Sequence, residues 1–484
     1  MKLQYNCACR LLILFIALIV CVVSISSCDN DDTQQDQRLD YIVNKDGTCC
    51  ITGIGSYTNS DVIIPEEIDG HKVTGIIGRA FYECNSITSV VIPNSVTNIG
   101  VSAFAGCAGL TSVIIPDSVT QIGEGAFVAC INLKEVVIPG SLKTIEYDTF
   151  FGCIGLENVI ISDGVTDIRE KAFGNCKALK SVVIPDSVTD LGAHAFDGCK
   201  KLKSVVIGDG VTSIGRWAFR GCIMLERVDI GDSVTSIGEA AFWSCTKLTD
   251  VIIGDSVESI EGSAFYDCNN ITNVYVDDIE QWLNIDFKEF HSNPCTYEAD
   301  LYINNEKVTD LVVPDGVTSI GKYAFNNCKS ITSVVIPNGV AEIGDNAFHG
   351  CINLTSAVIP NSVVSIGKEA FNYCISLENV VIPDSVMSIG TNAFRYCNSL
   401  NDIAIPDGVT NIADWAFYGC ENMMRVTIPD SVISIGSQAL AECSSLKIIE
   451  FGGTKAQWNA ITKGEKWDAY TDNYTVHCTD GDIT

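Results

Sequence analysis

A chain of 484 residues with 60 acidic and 30 basic side chains carries a formal charge of -30. A surface so acidic repels nucleic acid and anionic lipid, so no nucleic-acid partner is expected and membrane contact is expected only through a lipid anchor. Hydrophobic residues make up 47% of the chain and recur at regular intervals, which excludes disorder for most of it.

The N-terminus reads as an export signal. Lys2 and Arg10 flank an apolar run over 11–23, which is too short for a membrane span and suits a signal peptide. Ile25-Ser26-Ser27-Cys28 resembles a bacterial lipobox. That resemblance implies a signal peptide over 1–27 and lipidation of Cys28. The polar, acidic stretch over 28–39 is expected to serve as a tether. It is similar to the acidic signal that sends some Gram-negative lipoproteins to the outer face of the outer membrane. The expected location is therefore the cell surface, lipid-anchored in the outer membrane and facing outward.

Residues 40–72 read as an N-terminal β cap. From Val73 onward the chain repeats every 23 residues. The unit that starts at Val211 reads VTSIGRWAFRGCIMLERVDI. Units start at 73, 96, 119, 142, 165, 188, 211, 234 and 257, and again at 317, 340, 363, 386, 409 and 432. Phe holds the ninth position of every unit except the last, where Leu440 stands. Ala precedes it except at Thr149. Agreement in size at each position means that like residues stack on like.

Leu225-x-x-Val228-x-Ile230 alternates with period two and predicts a short strand. Asp-Ser, Asn-Ser or Asp-Gly follows as a turn. Val211-x-x-Ile214 predicts a second extended piece, and Arg216 to Cys222 a single helical turn. One unit cannot bury its own apolar face, so stability must come from stacking. The L-x-x-V-x-I pattern, the period and the repeated S-I-G-x-x-A-F-x-x-C resemble the BspA-like leucine-rich repeats of bacterial surface lipoproteins. The resemblance implies a leucine-rich-repeat solenoid, β-rich, with parallel short strands and single helical turns. Its fifteen repeats fall into an array of nine over 73–276 and an array of six over 311–451. Residues 277–310 form a cap-like insertion between them, and 452–484 a C-terminal cap. EQWLNI at 280–285 resembles AQWNAI at 456–461, so the insertion echoes the C-terminal cap.

Fifteen cysteines, Cys84 to Cys443, recur in step with the units. Equivalent residues of stacked parallel strands lie about 4.8 Å apart and point the same way. Disulfides need Cβ atoms about 3.8 Å apart and converging, and zinc needs clustered ligands. A nucleophile needs a base, yet His71, His194, His291, His349 and His477 do not recur with the cysteines. The expected role is packing, as small polarizable core residues. Cys49, Cys50, Cys295 and Cys478 stand outside the ladder, and the sequence does not pair them. No cofactor and no metal site are expected, and the absence of G-x-S-x-G, H-E-x-x-H and phosphate-loop motifs argues against an enzyme.

Three features are expected to face outward. The strand residue before the last Ile is apolar in most units, as at Val137, Ile160, Val183, Val206, Val335, Val358 and Val381, with Asp229 and Thr427 as interruptions. Such a stripe either stabilises a sheet or binds a protein. Aromatic residues vary on the other side: Trp217, Trp243 and Tyr266, then Tyr396, Trp415 and Tyr418. Turn acids from Asp117 to Asp430 form a column that caps turns and offers weak divalent-cation binding. The resemblance implies adhesion, with host extracellular-matrix or other host or bacterial surface proteins as partners. The alternative is a glycan-binding or nutrient-uptake accessory protein, and a purely structural envelope protein is the third reading.

Overall fold

The computed structural model describes residues 38–471 and 473–483. The expected signal peptide, the expected lipidation site Cys28 and nearly all of the expected tether lie outside these residues. No helix among the described residues is long and apolar enough to cross a membrane. The chain divides after Val165 into two compact units. In each of them the 23-residue repeats are coils that stack in parallel.

The coil that starts at Val211 shows the plan. Ser213–Ile214 pairs in parallel with Asp190–Leu191 on one side and Ser236–Ile237 on the other. Arg227–Asp229 pairs in parallel with Ser204–Ile207 and Asp250–Ile252. Partner residues differ by one repeat, so every side chain meets its own equivalent. Val211, Ile214, Ala218, Phe219, Cys222, Leu225, Val228 and Ile230 are all buried, and together they fill the coil. Gly215 lets coils approach closely: a Cβ there would lie 2.6 Å from the Gly192 carbonyl carbon.

The third side of the coil differs from expectation. Arg216 to Cys222 is a run of tight turns and not a helical turn. Ala218, Arg220 and Cys222 donate their N–H groups within the coil, to Gly215, Trp217 and Phe219 at 3.1–3.2 Å. The alternate N–H groups of Trp217, Phe219 and Gly221 donate to Glu239, Ala241 and Trp243 of the next coil at 2.7–2.9 Å. A helix would keep all its N–H groups for itself and leave none for the neighbour. The geometry requires positive φ at the seventh and eleventh positions, as in type II turns. All fifteen units show it, with φ of 52–61° at the seventh and 55–74° at the eleventh.

This ladder explains the recurring Phe and Cys side chains. The Phe rings stack nearly parallel, with centroids 4.9–5.5 Å apart and planes within 14°. In twelve of the repeats the Cys Sγ sits 2.9–3.4 Å from the Phe carbonyl of the preceding coil, as Cys222 does on Phe196 and Cys245 on Phe219. The cysteine is therefore a packing residue that also donates a weak hydrogen bond to a buried carbonyl. Burial raises the Cys222 thiol well above its ordinary pKa and that of Cys443 to about 12. The free thiols include Cys49, Cys50, Cys295 and Cys478.

The ends of the stacks are built differently. In the first unit Asp40–Val43 lies antiparallel to Cys49–Gly53, which pairs in parallel with His71–Ile76. Asp69 and Gly70, at φ of 50° and 82°, turn Glu67–Ile68 back onto that strand. In the second unit the segment 277–310 contains a lengthened coil. Asp286–Phe287 continues the short-strand ladder and Asp300–Ile303 the longer one. Between Asn273–Val276 and Asp286–Phe287 the helix Ile279–Asn284 starts at an Asp278 cap and buries Trp282, whose Nε1 donates to the Ala324 carbonyl at 2.8 Å. Glu306–Lys307 then folds back antiparallel on Asp300–Ile303, and Asp310–Val312 opens a new sheet. At the end Lys455–Ala460, capped by Thr454 and Gln457, buries Trp458, and Thr475–Cys478 extends the strand ladder before Gly481–Ile483 folds back on it.

Phe219→Ala is expected to cost about 3–5 kcal/mol, since it opens a void in a continuous ring stack. Phe219→Leu should cost clearly less, because Leu440 already fills this place. Urea unfolding of the two variants measures the difference. Ellman's reagent should reach the ladder thiols only after unfolding. Rapid titration of most of them in the native protein would contradict this burial.

Candidate interaction surfaces

The structure offers two outward faces, the strand face and the turn ladder. On the strand face, in-register pairing puts the predicted residues side by side. Val137 lies beside Ile160 in the first unit, and Val183, Val206 and Asp229 form a row in the second. Val137, Val183 and Val206 are exposed, while Ile160 and Asp229 are half-buried. The row is more exposed further on. Val312, Val335, Val358 and Val381 lie in register, with 65%, 45%, 57% and 75% of their surface open to solvent. Ile63 extends the row in the first unit, where it pairs with Val91. Sequence reasoning missed Ile63 and Val312 because both strands precede the first complete unit of their array. Alternation within their own short strands was the available signal.

Trp217, Trp243 and Tyr266 do not form one platform. Trp217 occupies a seventh position at φ 57°. The Arg216 guanidinium lies 3.8 Å from its ring centre, and His194 meets it edge-on at 4.5 Å. Beside it Arg220 forms a two-pronged ion pair with Asp197 at 2.8–2.9 Å, and His194 contacts the same carboxylate at 3.0 Å. Trp243 and Tyr266 hold tenth positions and pack on each other at 4.4 Å. His291 covers Tyr266 edge-on at 4.9 Å. The charged groups of this cluster therefore satisfy one another.

The second aromatic group is larger than the sequence indicated. Arg395 stands among four rings: Tyr396 at 4.6 Å, Trp415 at 5.0 Å, Tyr418 at 5.3 Å and Tyr373 at 6.0 Å. Tyr373 and Tyr396 lie 4.7 Å apart, and Tyr396 meets Tyr418 at 5.3 Å. A hydrogen bond to the Glu442 carboxylate, with burial, raises the Tyr418 pKa. Among the described residues, no group of three or more His, Cys, Asp or Glu is placed to hold a metal ion. The turn acids instead bond locally, as Asp186 does in accepting from the Asp209 N–H at 3.1 Å.

Repeat length, parallel register and the buried Phe and Cys ladders can be set beside known proteins. The family model for the BspA type leucine rich repeat region (6 copies) matches residues 56–180, 166–293, 298–386 and 364–461. The chain belongs to this family. Several proteins of known structure are similar to it over most of its length. A leucine-rich repeat protein from Bacteroides ovatus is 24% identical over 90% of this chain and 99% of its own, with a TM-score of 0.49. A leucine rich cell surface protein from Faecalibacterium prausnitzii is 30% identical over 90% and 98%, with a TM-score of 0.35. The pneumococcal vaccine antigen PcpA is 16% identical over 92% and 97%, with a TM-score of 0.39. No curated protein matches the chain.

One titratable group on the turn ladder makes a prediction about acid. Burial lowers the His349 pKa below 6.5, against the opposing pull of Glu369 at 3.6 Å. The folded chain then binds this proton less readily than the unfolded chain. Stability is lost as pH falls through the window below about 6.5. His291 shifts in the same direction through burial. His349→Asn should flatten the fall in unfolding midpoint across that window, read by thermal melts at a series of pH values. An unchanged slope would remove His349 as a source of acid sensitivity.

Proposed function

We propose that this protein is a surface-displayed binding scaffold, anchored by a lipid on Cys28, which holds host extracellular-matrix proteins or proteins of neighbouring cells on its strand face. Membership of the BspA-type family supports a repeat scaffold for protein interaction. The apolar run over 11–23 and the following Ile-Ser-Ser-Cys support export and anchoring. The observation that carries the reading is the exposed row Val312, Val335, Val358 and Val381.

Packing does not account for that row. A valine with 75% of its surface open gains little from its neighbours, and Thr427 shows that a polar residue serves the strand equally well. β-Branched apolar side chains held in register on neighbouring strands suit contact with a partner's apolar surface.

Immobilised fibronectin, laminin and collagen are suitable first probes. The full chain is expected to bind at least one of them. Val335→Asp with Val358→Asp should weaken that binding roughly tenfold or more, with the melting temperature unchanged. Binding that survives the double substitution would sink the strand-face assignment. Cys28→Ala should abolish metabolic labelling with a fatty acid and release the protein from the membrane fraction.

A further inference from the structure

The tenth position forms a column through the last array: Asn326, His349, Asn372, Arg395 and Tyr418. Backbone bonds fix its spacing, since the eleventh-position N–H of one coil donates to the tenth-position carbonyl of the next. Asn327 donates to His349, Tyr373 to Arg395 and Tyr396 to Tyr418, at 2.7–2.8 Å. Three of these five residues carry a buried polar atom without a hydrogen bond, Asn326 Oδ1, Asn372 Oδ1 and Arg395 Nε, while His349 Nδ1 faces Glu369 at 3.6 Å. Asn392 Oδ1 beside them is in the same condition. Asn326 and Asn372 are only 0% and 2% exposed. Buried polar atoms are ordinarily paired, so several in one column mark a place where a partner belongs. The equivalent column around Trp217 contrasts with it, because there Asp197 and Arg220 satisfy each other.

Rings flank the column. Tyr373 and Tyr396 are eleventh-position residues and Trp415 a seventh-position residue, all at φ of 57–59°. The left-handed conformation favours Gly or Asn, and a bulky ring there gains nothing for the backbone. Tyr373 is exposed, and Tyr396, Trp415 and Tyr418 are half-buried.

From this we propose that the turn ladder between Asn372 and Tyr418 is a carbohydrate-binding site for an uncharged oligosaccharide. Aromatic faces pack against the apolar faces of sugar rings. A hydroxyl both donates and accepts, so one class of group can satisfy the amide oxygens and the Arg395 Nε–H together. A carboxylate, sulfate or phosphate could accept from Arg395 but has no proton for the oxygens. An anionic ligand would also face Glu369 and Glu442 in a protein of charge -30. A lysine could donate to the oxygens but not accept from Arg395. Two rungs separate Asn372 from Tyr418, about 10 Å, so the column can hold about two sugar units. The site is separate from the strand-face row, and it stands or falls independently of the protein-binding reading.

The full chain tested on a glycan array with neutral, sulfated and sialylated oligosaccharides is expected to retain a neutral one. Tyr396→Asn and Trp415→Asn should each weaken that binding about tenfold or more by titration calorimetry. Asn tolerates the left-handed backbone, and unchanged melting temperatures would verify the fold. Val335→Asp with Val358→Asp should leave the glycan affinity unchanged, and Trp415→Asn should leave matrix-protein binding unchanged. Failure to retain any neutral glycan, retention of sulfated or sialylated glycans alone, or equal affinity in the two aromatic variants would each overturn the proposal.

Discussion

Within each compact unit, every coil hands alternate backbone N–H groups to the next coil, and this exchange is the constraint on which the remaining structure depends. The N–H groups of Trp217, Phe219 and Gly221 serve the next coil, while those between them close turns within their own. A turn run so divided cannot be helical, must visit positive φ twice per coil, and must keep one fixed distance to its neighbour. Register follows from that distance. Once equivalent residues meet, uniform side chains pack without voids, and non-uniform ones disturb the coils above and below.

The cysteine ladder is a consequence of the same exchange. A Phe carbonyl such as that of Phe219 accepts the Cys222 N–H of its own coil, and the thiol of Cys245 approaches it from the next. Serine could donate more strongly, but in so apolar a place the two lone pairs of its oxygen would be left unpaired. Alanine would leave a void beside the Phe stack. A thiol is apolar enough for the interior and still reaches the carbonyl. The thiols of Cys222 and Cys374 stay protonated because burial penalises the thiolate, which removes the reactivity that such cysteines would otherwise bring.

Function is left to the residues that the stack does not use. On the strand face an exposed apolar residue such as Val183, Val206 or Val381 follows two positions after an exposed polar one, Ser181, Ser204 or Asn379. On the turn ladder the choice varies from coil to coil, and it satisfies itself around Arg220 and Asp197 but not around Asn372 and Arg395. One scaffold therefore presents two chemically different surfaces, an apolar row and an aromatic, hydroxyl-seeking column. Neither asks anything of the core beyond rigidity.

The sequence by itself determined the coil and its stacking. A 23-residue period with Val, Ile, Ala, Phe, Cys and Leu at set places allows only like-on-like packing, because one coil cannot bury its own apolar face. Val137, Val183 and Val206 were legible as outward residues for the same reason, through simple alternation. Tertiary structure decided the rest. Ala-Phe-x-x-Cys is compatible with a helical turn, and only hydrogen bonding to the neighbouring coil selects left-handed residues at Trp217 and Gly221 instead. The 277–310 segment looked like a break, yet it threads a lengthened coil before the sheet changes, since Phe287 and Leu301 still find partners one rung away. Asn372, Arg395 and Tyr418 are 23 residues apart in the chain and differ in type, so no local pattern joins them. They become one column because coil stacking turns a separation of 23 residues into a single rung of about 4.8 Å.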